Sequence, residues 1–172
     1  MNEATTTMMT PNSYSYKRGR GDGRRGGGSK NKKRLKTIRD MLRRILKILP
    51  RRVDVRRLSN EMHSRHGISH SAVDFVIDRV FNYPTTISKD NETGRCKCGK
   101  HKRGLCKKFV SGMLDATNLL LRVVERGKRI DQAMAFKGAD NLAKRKYPRD
   151  DADRHTYALG GEMLIHHYLK LK

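Results

Sequence analysis

FVSGMLDATNLLLRVVERGKRI, residues 109–130, decides the fold. Phe109, Val110, Met113, Leu114, Thr117, Leu120, Leu121 and Val124 recur at the spacing of a helix with one apolar stripe, and they predict a helix over 105–126. Gly127-Lys128-Arg129 breaks it. No segment alternates with period two for more than a few residues, so the expected class is all-α.

Immediately upstream lies RCKCGKHKRGLCKKF, residues 95–109, with all three cysteines, one histidine, seven Lys or Arg and no acid. Cys96, Cys98, His101 and Cys106 supply the three thiolates and one imidazole of a complete tetrahedral zinc shell. A Zn²⁺ held there is structural, because a full shell leaves no position for water. The one-residue gap between Cys96 and Cys98 is tighter than the usual two. The order Cys-Gly-Lys-His-Cys is similar to a zinc knuckle, a module that binds single-stranded nucleic acid. Three free thiols in a basic loop is the plainer alternative. An odd, clustered set of cysteines fits a reducing compartment better than a disulfide framework.

Working outward, 70–82 carries Ala72, Val73, Val76, Ile77, Val80 and Phe81, with Ser69 as its cap and Pro84 beyond it. A helix over 54–65 starts at Asp54, places Val55, Leu58 and Met62 on one side, and stops at Gly67. Leu35, Ile38, Met41, Leu42, Ile45 and Leu49 predict a helix over 33–48, ended by Pro50. On the other side, 131–146 carries Ala133, Met134, Phe136, Leu142 and Ala143. A last helix runs from Asp150 or Asp151 to Leu171, with Gly160-Gly161 as a weak point. Residues 1–32 form a basic Gly/Arg-rich tail with too little apolar surface to order itself. The expected organisation is this tail, a helical domain over 33–172, and an insertion over 83–108.

Charge narrows the function. The 172 residues hold 40 Lys and Arg against 17 Asp and Glu, a net charge of +23. Such a chain repels itself until a polyanion neutralises it, and counterion release makes nucleic acid the natural partner, duplex DNA first and RNA second. No apolar run approaches the roughly 18 residues of a membrane span, and no secretory signal is seen at the N-terminus. Nothing has the pattern of a catalytic centre, a Gly-rich phosphate loop or a metalloprotease helix, so no enzyme and no small-molecule substrate are expected. His63, His66 and His70 cluster near one turn without a supporting carboxylate pattern and read as solvated histidines. The pair of helices around Gly67 has the outline of a DNA-reading helix-turn-helix. Its second helix, however, offers Val73, Phe75, Val76, Ile77, Val80 and Phe81 where a recognition helix needs polar side chains.

A basic tail, a basic helix and then GISHSAVDFVIDRVF (67–81) resemble a core histone entering its long central helix. FVSGMLDATNLLLRVVERGKRI resembles the second half of such a helix and the loop after it. ADNLAKRK (139–146) is similar to the short third helix, and LGGEMLIHHYL (159–169) to an additional C-terminal helix. Ordinary core histones lack an insertion between the two central-helix pieces, so the resemblance is to a divergent member, of viral or protist type. It implies a histone-fold-like short-long-short set of helices with extra helices and a zinc clip. It implies a DNA-packaging protein of chromatin or a virion, in the nucleus or a virion core, making sequence-independent phosphate and minor-groove contacts. It further implies a homo- or hetero-oligomer, such as a heterodimer of nucleosome type, through Val76, Ile77, Val80, Phe81, Phe109, Met113, Leu114, Leu120, Leu121 and Val124.

The basic positions expected to meet nucleic acid are Lys17, Arg18, Arg20, Arg24, Arg25, Lys32, Lys33 and Arg34 of the tail and its border. The resemblance to core histones implies Arg43 and Arg44 beside the DNA backbone, and adds Arg51, Arg52, Arg56 and Arg57 of the first loop and Lys128 and Arg129 of the second. Two other readings use the same charge: a zinc-knuckle nucleocapsid or RNA-binding protein, and a helix-turn-helix regulator.

Overall fold

The computed structural model of the chain describes residues 27–49, 54–82, 89–90, 95–96 and 104–170. Their architecture is all-α: α1 (Gly27–Ile48), α2 (Val55–His66), α3 (His70–Asn82), α4 (Leu105–Glu125), α5 (Gln132–Lys146) and α6 (Asp151–Lys170). Between α3 and α4, β1 (Lys89–Asp90) and β2 (Arg95–Cys96) pair antiparallel, Lys89 opposite Cys96 and Asp90 opposite Arg95. This ladder is absent from the sequence reading because two residues per strand are too few to show alternation.

Local chemistry accounts for most helix ends. The Asp54 carboxylate accepts the Arg57 N–H at 2.9 Å and starts α2. Gly67, at φ 60°, closes α2 in the left-handed region where a side chain would be strained. Asp131 and Asp150 cap α5 and α6 by accepting the N–H groups of Met134 and Asp153, each at 2.8 Å. The first helix begins six residues before the predicted boundary of 33, so part of the expected tail is helical. Once its apolar stripe is anchored, each added residue gains a backbone hydrogen bond without the cost of nucleation.

The core is one contiguous cluster. Leu35, Ile38, Met41, Leu42 and Ile45 of α1 are at most 2 % exposed, and Val73, Val76 and Val80 of α3 join them. Each fully buried aliphatic side chain stabilises by about 1.5–3 kcal/mol. Thr117, buried among them, donates its hydroxyl to the Met113 carbonyl at 2.8 Å and so carries no unsatisfied donor.

The tightest packing lies between α4 and α6, which run parallel. Lys108 pairs with Asp153, Gly112 faces Tyr157, and Ala116 faces Gly161, each pair 45 residues apart. A Cβ on Gly112 would collide with the Tyr157 carbonyl, and one on Gly160 with the Phe109 carbonyl. Gly160-Gly161 is therefore the place where two backbones touch, and not the weak point its helix propensity implied. Antiparallel to both, α5 lays Ala139 beside Gly161 and Gly138 against Leu119. The Asp115 carboxylate ties the three helices together. It accepts the Tyr157 hydroxyl and takes the Lys146 ammonium at 2.8 Å.

Candidate nucleic-acid interface

One end of the molecule gathers positive charge from the start of α1 and from the loop after α4. Lys30, Lys33 and Arg34, on the first turns of α1, line a cleft of 410 Å³ with Thr37 and with Gly67, Ser69, Ser71 and Ala72 at the entry to α3. The Ser69 carbonyl accepts the N–H groups of Ala72 and Val73 at 3.0 and 3.1 Å, which sets α3 going. The Ser69 and Ser71 hydroxyls lie 3.4 Å apart at the cleft. Hydroxyls and first-turn amides offer donors to an oxyanion, and the helix macrodipole favours one there. Lys32 reaches Glu125 at 3.8 Å, bringing the start of α1 beside the end of α4. Arg126, Lys128 and Arg129 follow at once, all exposed and none within 4 Å of a carboxylate among the described residues.

The predicted basic positions divide accordingly. Lys32, Lys33, Arg34, Lys128 and Arg129 are brought to this end. Arg43 and Arg44 are exposed on α1, about 15 Å further along its axis, and Arg43 leans on Asp40 at 3.8 Å. Arg56 and Arg57 are exposed at the start of α2, a helix length of about 18 Å from the cleft at Gly67. Lys17, Arg18, Arg20, Arg24, Arg25, Arg51 and Arg52 lie outside the described residues. Sequence reasoning missed Lys30 and Ser71 as lining groups, and it read Ser69 only as a helix cap. The crossing of α1 over α3 that joins them leaves no mark in either segment.

The side chains expected to face a partner are covered by the chain itself. Val76, Val80, Phe109, Met113, Leu120 and Leu121 are buried, and Ile77, Leu114 and Val124 are partly buried against the same core. The Phe81 side chain lies outside the described residues. A partner reaches the buried set only if the chain's own helices part. On its solvent side α3 presents His70, Ser71, Asp74 and Asp78.

Of the four expected zinc ligands, Cys96 ends β2 and Cys106 is buried in the first turn of α4, while Cys98 and His101 lie outside the described residues. Among the described residues, no group of three or more His, Cys, Asp or Glu is placed to hold a metal ion. His63 and His70 stack with ring centroids 3.9 Å apart, and His63 Nδ1 sits 3.2 Å from the Ile68 carbonyl. That arrangement braces the α2–α3 turn. Near the C-terminal end of α6, His167 stacks on Phe75 at 3.5 Å. Burial, helped by Arg34 and Arg79, holds its pKa below the ordinary imidazole value. Among the described residues, no helix is long and apolar enough to cross a membrane.

Compared with protein-family models, curated proteins and solved structures, the chain matches none of them.

Proposed function

We propose that this chain is a non-enzymatic, histone-like DNA-binding protein that packages duplex DNA by neutralising its backbone. The observation that carries the reading is the convergence of Lys30, Lys33 and Arg34 with the α3 entry and, through Lys32 and Glu125, with the Lys128-Arg129 loop. A net charge of +23 supplies the long-range attraction, and the sequence resemblance to core histones supports the same partner. Contacts of this kind fall on phosphates and DNA shape, so binding is indifferent to base sequence. Asp74 on the open side of α3 also favours this reading over base recognition by that helix, because a carboxylate there is repelled by a groove lined by phosphates. Zinc belongs to the proposal as a structural clip on the 83–108 insertion, held by Cys96, Cys98, His101 and Cys106, and it enters no reaction step. Chromatin or a virion core is the setting that fits such a protein.

Titration of the full chain with unrelated duplexes of equal length, at a series of salt concentrations, tests the reading. Equal affinities and a steep linear fall of log K with log salt are expected. Lys33→Gln plus Arg34→Gln should make the slope shallower by about 0.9 for each phosphate that is no longer neutralised. Absence of duplex binding at low salt sinks the proposal.

A further inference from the structure

A second cleft, of 340 Å³, opens between α4 and α5. Its walls carry Arg122 and Asn118 from α4 and Arg145 and Asn141 from α5, with Leu119 and Leu142 between them. Neither guanidinium has a carboxylate within 4 Å among the described residues, and both residues are exposed. The one acid in the lining, Asp115, is already engaged by Lys146 and by the Tyr157 hydroxyl. The two guanidiniums thus line one cleft with no ion pair of their own among the described residues. Guanidinium presents paired N–H donors that match an oxyanion edge, and a primary amide beside it can both donate and accept.

We infer that the α4–α5 cleft binds a phosphate group of a nucleic-acid strand, with Arg122 and Arg145 on the phosphate and Asn118 and Asn141 on the adjoining sugar or base edge. Phosphate is favoured over an acidic peptide by continuity, since Arg122 lies one turn before Arg126 and the Lys128-Arg129 loop of the interface above. A strand held at the α1–α3 end then has a basic path along α4 into the cleft. The identity of the polymer rests on the proposed function; the oxyanion site does not.

The experiment follows the side-chain amide signals of Asn118 and Asn141 in the full chain by NMR, during titration with inorganic pyrophosphate, poly-glutamate and a short duplex. A parallel series uses Arg122→Gln plus Arg145→Gln, with thermal unfolding as the check that the variant folds. Both amides should shift with pyrophosphate and with duplex, and the shifts should vanish in the variant, whose log K against log salt slope for duplex becomes shallower by about 0.9. Shifts with pyrophosphate but no duplex binding uphold the cleft as an oxyanion site while the proposed function fails. Duplex binding with silent amides and an unchanged slope overturns the cleft and leaves the α1–α3 interface standing. Shifts with poly-glutamate alone also overturn it.

Discussion

The two halves of the molecule are held together by different means. In α4–α5–α6, polar bonds run between helices: Lys108 to Asp153, Lys146 to Asp115, and Tyr157 to Asp115. Backbones meet directly at Gly112 and Gly160. In α1–α2–α3 the ion pairs are local, Arg39 and Arg43 with Asp40, Arg65 with Glu61, and Arg79 with Asp78. Among the described residues Lys32 also reaches out, to Glu125. Cohesion there is apolar. The C-terminal half therefore specifies one geometry through close approach and directed bonds. The N-terminal half spends its ion pairs mostly within single helices and relies on apolar burial to join them.

Breaking the backbone approach should have the largest effect. Gly160→Ala forces a methyl against the Phe109 carbonyl, which cannot yield as a flexible side chain would. A loss of about 3 kcal/mol is expected by urea unfolding. A variant as stable as the parent would show that α4 and α6 do not touch at this glycine. Next comes the polar tie. Asp115→Ala leaves the buried Tyr157 hydroxyl without its acceptor and frees Lys146, for about 2 kcal/mol. The matching change in the other half, Asp40→Ala, removes only exposed local pairs and should cost no more than about 0.5 kcal/mol. Equal losses would erase the distinction between the halves.

The smallest expected effect sits at the seam. His167 of α6 stacks on Phe75 of α3, and its folded pKa is depressed by burial and by Arg34 and Arg79. Below the ordinary imidazole value of about 6.5 the unfolded chain takes up this proton more readily than the folded one. Stability should thus be full above that pH and decline as pH falls toward the folded value. Unfolding midpoints of the parent and His167→Phe between pH 7.5 and 5 check the sign: the parent should lose more on acidification.

Helix positions were legible because their causes are local. Asp54, Gly67 and Asp131 mark ends through chemistry within four residues, and the stripe from Leu35 to Leu49 states its own period. What joins helices was not legible. Gly160-Gly161 has a poor helix propensity and a decisive packing role, and only the second depends on α4 lying 45 residues earlier. Asn118, Arg122, Asn141 and Arg145 look like surface decoration until α5 turns back along α4. The basic end was half visible. Lys33, Arg34, Lys128 and Arg129 announce their charge, but that they share an end follows from the crossing of α1 over α3 and from one ion pair, Lys32 to Glu125.

The constant offset of 45 residues between α4 and α6 also bears on synthesis. At about 5–20 residues per second, α4 waits roughly 2–9 s for the helix that covers Phe109 and Gly112. Parallel helices cannot be joined by a tight turn, so α5 must fold back first and serve as the return stroke. The unit cannot close vectorially from its N-terminal end. During that interval the nascent chain leaves the α4 face around Phe109 and Gly112 open to whatever binds emerging polypeptides.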